Sequence, residues 1–127
     1  MKKCDYCAKE ISYFDQYCCD ECQKKAIEFY DMRDKYTKIF SVINIICVFA
    51  IPIGLFVLSF AASVGFTMLS LGMLFLGITI MFLPFPVDNM ISSMKIKKAV
   101  KATRFIGLGL TILGIALLIS DIFMFFV

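Results

Sequence analysis

The chain alternates between two textures. Residues 39–84 read IFSVINIICVFAIPIGLFVLSFAASVGFTMLSLGMLFLGITIMFLP, almost continuously apolar and without a charged residue. A hydrocarbon layer about 30 Å thick is crossed by roughly 20 helical residues rising ~1.5 Å each. The run is too long for one crossing and suits two. The pattern predicts spans at residues 39–60 and 66–83, reversing through the small residues Ala61, Ala62, Ser63, Val64 and Gly65. Non-helical backbone finds no hydrogen-bond partner in lipid, so the reversal belongs near the far face. A second apolar run, residues 105–127, predicts a third span.

The polar stretches have a periodicity of their own. After Cys22, QKKAIEFYDMRDKYTKIF puts Ala26, Phe29, Tyr36 and Ile39 on one helical face, with Tyr30 and Met32 beside them. No Gly or Pro falls between residue 20 and Ile51, so one helix is predicted to carry residues 25–38 straight into the first span. Its apolar stripe packs on the head or on the membrane surface; the sharper alternative is a partner or dimer face. Pro84-Phe85-Pro86 ends the second span. In residues 84–104, Val87, Met90, Ile91 and Met94 recur at helical spacing, and Lys95, Lys97, Lys98, Lys101 and Arg104 follow. This predicts a basic amphipathic loop at the membrane surface. Its cations meet anionic headgroups, at about 1 kcal/mol per basic residue, or act only as topology signals. No aromatic or groove-reading pattern accompanies them, which argues against nucleic acid.

A few residues break the apolar texture. Asn44 is expected to hydrogen-bond across helices, Pro52 with Gly54 to kink the first span, and Cys47 to pack. Gly72 and Gly77 in the second span suit close helix approach. Thr103, Gly107 and Thr111 form a small-residue stripe suited to packing on the hairpin. Asp121 is the only acidic residue within a predicted span. It lies about 25 Å along the helix from Arg104, near the far interface. A carboxylate inside a membrane is a functional candidate by default; its place near the chain end favours a structural role.

Composition makes lipid part of the solvent. Of 127 residues, 61% are apolar and 18% charged, with a mean hydropathy of +0.87, more than a soluble domain of this size could cover. The segment before the hairpin, residues 1–38, leaves no room for a large catalytic domain. A unit below about 40 residues needs a metal, disulfides or a partner to fold. Histidine is absent, which removes imidazole acid/base and ligand chemistry. The basic start Met1-Lys2-Lys3 is followed by acidic residues rather than an apolar core, so no cleaved signal is expected.

Five of the six cysteines fall in CDYCAKEISYFDQYCCDEC. Cys4-x2-Cys7 is a knuckle that can present two thiolates to one ion. Cys18, Cys19 and Cys22 begin eleven residues after Cys7. Two close cysteine pairs joined by a short hairpin supply the tetrahedral ligand set of structural zinc. Residues 10–17, with Ile11, Tyr13, Phe14 and Tyr17, are expected to form that hairpin and cover the ion. The second pair reads either as Cys19-x2-Cys22, a ribbon knuckle, or as Cys18-x3-Cys22, with Cys22 on the first turn of a helix.

Tyr17-Cys18-Cys19-Asp20-Glu21-Cys22 after Cys4-x2-Cys7 resembles the short treble-clef zinc fingers, in which C-x2-C precedes an aromatic-Cys-Ser-x-x-Cys run opening a helix. The likeness is confined to residues 1–22. It departs where Cys19 stands for the usual Ser and Ala8 for a common Gly. The resemblance implies Cys4, Cys7, Cys18 and Cys22 as zinc ligands, with Cys19 the alternative to Cys18. The whole layout, a Cys4 finger (treble-clef or zinc-ribbon-like) before hydrophobic spans, also resembles uncharacterised multi-pass zinc-finger membrane proteins of Gram-positive bacteria. That likeness implies no activity.

Charge distribution orients the chain. Of thirteen Lys and Arg, eight lie before Ile39 and five between Lys95 and Arg104. Three spans place both groups on one side, which the positive-inside rule makes the cytosol; the C-terminus is then external. A cytosolic head argues against disulfides, and so short a segment cannot build the parallel sheet around a thioredoxin-like CxxC. The expected fold is a membrane all-α protein: three transmembrane helices behind a Cys4 zinc finger of short β-hairpin plus helix, residues 1–24. The expected function is a membrane-anchored, non-enzymatic zinc-binding adaptor with Zn2+ as its cofactor. Its partners are membrane lipid and a protein or second copy, without nucleic acid or small-molecule substrate. The head's eight acidic and eight basic side chains, with four zinc thiolates, disfavour DNA. The alternatives are a thiol-based redox or metal sensor using Cys19, and a small transporter or channel subunit using Asp121 and Asn44.

Overall fold

A computed structural model describes residues 2–127; Met1, counted in the head above, lies outside the described residues. In chain order come β1 (Lys2–Lys3), β2 (Glu10–Ile11), α1 (Asp20–Leu58), α2 (Ala62–Phe82) and α3 (Asp88–Phe126). The fold is membrane all-α: three long apolar helices follow a small head of one antiparallel strand pair and a cysteine cluster. Each helix is long and apolar enough to cross a bilayer.

The 39 residues of α1 reach about 58 Å at ~1.5 Å each. The helix leaves the head at Asp20 and becomes the first span without interruption, passing through Pro52. Gly54 is buried against α2, where an added Cβ would lie 3.1 Å from Leu69 Cγ. The reversal is shorter and earlier than the five small residues suggest. Ser59–Ala61 make it, with Phe60 and Ala61 N–H both donating to the Val57 carbonyl at 2.9 and 2.8 Å. Ala62–Gly65 join the first turn of α2 because Gly65 fits against the end of α1; a Cβ there would meet Leu58 N at 2.6 Å.

α2 is the middle helix and packs on both neighbours. Lipid tails are as apolar as side chains, so helices in a bilayer associate by close approach. Here that approach runs through glycine. A Cβ on Gly77 would stand 2.5 Å from Thr111 Oγ1 and 2.6 Å from Thr111 N; one on Gly114 would stand 2.9 Å from Leu74 N. Thr103 and Gly107 are buried on the same side of α3. Outward faces stay apolar and exposed, as at Ile45, Phe49, Phe56, Phe75, Leu113 and Phe123. Polar groups within the spans are satisfied locally. Asn44 donates to Phe40 O at 2.8 Å on its own helix, not across helices, because an i−4 carbonyl is within its reach. Asp121 accepts from Thr67 Oγ1 at 2.6 Å, tying the far ends of α2 and α3.

α3 is broken once. Lys95 has φ 65° and ψ 164°, dividing it into helical segments 88–94 and 96–126. The second segment runs without a break into the third span. Lys97, Lys98, Lys101 and Arg104 therefore ride on the first turns of the spanning helix itself, not on a separate interfacial loop. Around this break sits the aqueous-end core: Ala26, Phe29 and Ile96, flanked by Tyr6, Tyr17, Phe85, Ile91 and Val100. Of the stripe on α1, Ala26 and Phe29 pack there while Ile39, Tyr30 and Met32 stay exposed, and Phe85 bridges Phe29 and Phe40 at ring separations of 6.5 and 5.1 Å.

Gly77→Val should destabilise the α2–α3 pair by about 1–3 kcal/mol, because its neighbours are backbone that cannot step aside. Gly109→Ala should be neutral, since nothing lies within 4 Å of its added Cβ. Unfolding midpoints in detergent titrated with sodium dodecyl sulfate, followed by circular dichroism, check both.

Candidate metal centre

Two short pieces of chain deliver the thiols. The first is the knuckle between the strands, where Lys2 pairs with Ile11 and Lys3 with Glu10. Inside that clamp Cys4 N–H donates to Lys9 O at 2.8 Å and Ala8 N–H to Cys4 O at 3.0 Å. The turn closes only because Ala8 adopts φ 65°, a left-handed conformation that glycine takes without strain. The second piece is the entry to α1. Cys19, in extended conformation, is its N-cap residue, and Cys22 falls in the first turn. Cys18 is brought alongside the knuckle by its own N–H, which donates to Cys4 Sγ at 3.3 Å. Asp5 N–H donates to Gln16 O at 3.2 Å and draws the two pieces together.

The Sγ atoms of Cys4, Cys7, Cys18 and Cys22 all lie within 4.8 Å of one another. Cys7–Cys18 is 3.5 Å and Cys18–Cys22 3.4 Å. A tetrahedral ion with metal–sulfur bonds of about 2.3 Å has sulfur–sulfur edges of roughly 3.8 Å, so the quartet can hold one metal ion. All six cysteines are free thiols. Cys4 is buried and Cys7, Cys18 and Cys22 are half-buried, whereas Cys19 is exposed, with its Sγ 3.8 Å from that of Cys18.

The hairpin does not lie on residues 10–17. It wraps the first knuckle, and only Glu10–Ile11 of that segment is strand. Phe14 is 98% and Tyr13 73% exposed, so neither covers the thiols. Tyr6 and Tyr17 do the packing instead. Alternation could not reveal this, because strands of two residues carry no readable period.

Electrostatics set Cys4 apart from Cys18 and Cys22. Burial pushes the Cys4 thiol up, but the backbone N–H groups of Cys7, Tyr6 and Cys18, with the Cys7 thiol, outweigh it and bring it down to about 7. Cys18 is driven well above the ordinary thiol range by hydrogen bonds to Cys22 and Cys7. Cys22 is pulled down by the Cys18 thiol, yet burial and the thiols of Cys19 and Cys7 raise it to about 11. Cys4 is prepared to ionise, while Cys18 and Cys22 are held protonated by crowding. Four thiolates this close require a cation among them, which is the donor chemistry of a soft metal site. The N-terminus of α1 adds a positive end beside Cys22.

The centre is fastened to α3. Where Lys95 breaks the helix, the first amides of the new segment lack carbonyl partners. The knuckle supplies them: Ile96 N–H donates to Asp5 O at 3.2 Å and Lys97 N–H to Tyr6 O at 3.0 Å. Lys95 Nζ adds an ion pair to Asp5 Oδ1 at 2.8 Å. Burial raises the Asp5 carboxyl, but its bonds from Lys95 and Gln16 and the charges of Lys95 and Lys2 hold it below its ordinary value. A second pair, Arg33 with Asp88 at 2.9 Å, ties α1 to the other side of the break. In the sequence Asp5, Tyr6 and Lys95 look like ordinary polar or surface residues, and no spacing rule signals a carbonyl-to-amide dock. The rest of the basic cluster divides. Lys97, Lys101 and Arg104 line one groove with Tyr6, and Lys98 is outside that lining.

No protein-family model matches the chain, and no curated protein or solved structure is detectably similar to it.

Ala8→Gly should stabilise the head by about 1 kcal/mol, by relieving its left-handed strain, and Ala8→Val should weaken it by more. Amide hydrogen exchange at Ile96 and Lys97, slower in the first variant and faster in the second, reads the effect.

Proposed function

We propose that this chain is a membrane-anchored, non-enzymatic binding module whose head is folded by one structural zinc ion on the cytosolic face. The observation that carries this is the four-sulfur cluster within 4.8 Å, built into a head that is itself docked on the start of the third span. An all-sulfur, four-ligand set of this edge length suits zinc, which is redox-inert and takes tetrahedral thiolate coordination in structural sites. Four protein ligands leave no open coordination position for substrate, in keeping with structure rather than catalysis. The resemblance of residues 1–22 to short treble-clef fingers supports zinc as the ion. Phe14 and Tyr13 are exposed aromatic residues of the head, and they offer a protein partner its contact point.

The second reading is a thiol sensor. Its support is Cys19, an exposed thiol next to the cluster. In that reading mild oxidant releases the ion and Cys19→Ser blocks the release; under the structural reading both proteins keep the ion.

Two outcomes test the proposal. Elemental analysis of the purified chain should give one zinc per molecule, and Cys4→Ser or Cys22→Ser should remove it. Stripping the ion with a chelator should erase amide protection at Ile96 and Lys97 while the spans remain helical, since binding energy at such sites is folding energy. Retained protection after stripping would sink the structural role. For orientation, a reporter active only in the cytosol should work when fused at the N-terminus and fail after Val127; activity at both ends would refute the arrangement.

A further inference from the structure

A groove of about 610 Å³ opens beside the metal centre, where the head, α1 and α3 meet. Its floor is apolar. Phe29, Ile96 and Pro84 are buried, and Met32 and Val100 line the walls. Its rim is cationic: Lys25, Lys97, Lys101 and Arg104 face it against a single carboxylate, Glu28. Lys25 is engaged by Glu21 at 2.7 Å. Among the described residues no carboxylate comes within 4.0 Å of Lys97, Lys101 or Arg104.

Lys97, Lys101 and Arg104 follow helical spacing on α3, four residues and then three, and so share one face, although Lys97 also faces Glu21 at longer range. Lys98 is off it. Arg104 is the last charge before the apolar run of the third span. Lys101 lies ~4.5 Å above it along the axis and Lys97 ~10 Å above. The polar layer on each side of a bilayer is about 5–8 Å deep, which sets Lys101 and Arg104 at the depth of lipid phosphates. A ligand for this groove must be anionic at one end and apolar at the other, and must arrive from the membrane side.

We propose that the groove binds one anionic phospholipid of the adjoining leaflet. Its phosphate is held between Lys101 and Arg104, with Lys97 above, and its acyl chains run down the exposed apolar face of the third span past Leu108 and Ile112. Charge complementarity and depth select the occupant: a zwitterionic lipid would leave the positive rim uncompensated, and a soluble acidic ligand would make no use of the apolar span that begins directly below Arg104. The site needs the head in place, because Tyr6 contributes a wall, but it does not depend on which ion the head holds.

The test is native mass spectrometry of the full chain in neutral detergent, titrated with phosphatidylglycerol or phosphatidylcholine. One phosphatidylglycerol per chain should be retained, at least tenfold more tightly than phosphatidylcholine. Each basic residue near an anionic surface contributes about fivefold in affinity. Lys101→Gln with Arg104→Gln should therefore weaken retention about 25-fold. Lys98→Gln, which removes the same charge outside the groove, should change it less than twofold. Exchanging the two cations, Lys101→Arg with Arg104→Lys, should preserve binding. Equal retention of the two lipids, or equal loss from Lys98→Gln, would overturn the site in favour of diffuse surface charge. Displacement by millimolar inorganic phosphate would overturn the lipid as occupant. The same spectra count the bound ion, so a chain lacking zinc yet selective for phosphatidylglycerol would refute the metal reading and uphold this one.

Discussion

Two backbone hydrogen bonds join the parts of this molecule that differ most. Ile96 and Lys97 offer amides that have lost their helical partners, and Asp5 and Tyr6 offer carbonyls from the middle of a cysteine knuckle. A buried amide without a partner costs about 1–3 kcal/mol, so neither side is easily formed alone. The knuckle caps the third span, and the span in turn gives the knuckle something to lean on. The apolar contact around this dock is modest, three buried side chains with a ring of half-buried ones. It is too small to order the head unaided, as expected for a unit of this length. Cross-linking of the knuckle to the entry of α1 through an ion held by the four sulfurs would make up the difference.

The rest of the chain answers to a different solvent. Within lipid there is no gain in hiding apolar surface from neighbouring tails, and the helices meet where side chains are missing. Gly77 against Thr111, Gly114 against Leu74 and Gly54 against Leu69 set the spacing of the bundle. Polar atoms in the spans are answered within reach, Asn44 by its own helix and Asp121 by Thr67. Asp121 thus has a structural partner that accounts for its place.

How far the sequence can be read follows from which physics each feature uses. The spans are legible because hydropathy averaged over a whole crossing is a bulk property, and so is the long helix from Asp20 into the membrane, since nothing interrupts it. The cysteine spacing announces a ligand set, though Cys18 and Cys19 cannot be separated by spacing alone; their different exposure only emerges once α1 begins at Asp20. The turn after the first span reads a few residues late, because Ala62, Ser63 and Val64 serve equally well in a turn or a helix start. Residues 10–17 read as a hairpin because their aromatic residues look like a cover for the ion, whereas Tyr13 and Phe14 are exposed. Lys95 is the least legible. A lysine in the left-handed region has no local preference to be there; its conformation is imposed by the dock and the ion pair with Asp5, contacts 90 residues apart in sequence.

Charge links the sulfur cluster to the membrane surface. The cluster's sulfurs cannot all ionise together, and the lowered Cys4 thiol depends on backbone amides of Tyr6 and Cys7 that point inward. Those same residues turn their other side to α3, where Tyr6 O accepts Lys97 N–H. Tyr6 C=O and Cys7 N–H belong to one planar peptide unit, so it cannot turn its N–H toward or away from the sulfur without moving the carbonyl that holds Lys97. An ion that fixes the thiolates therefore also fixes the first turn of the third span. That turn carries Lys97, Lys101 and Arg104 to the level at which the bilayer begins. The position of those cations is set by the dock of the knuckle on Ile96 and Lys97 more than by helix propensity, which is why a basic cluster with the look of a topology signal forms one wall of a shaped groove.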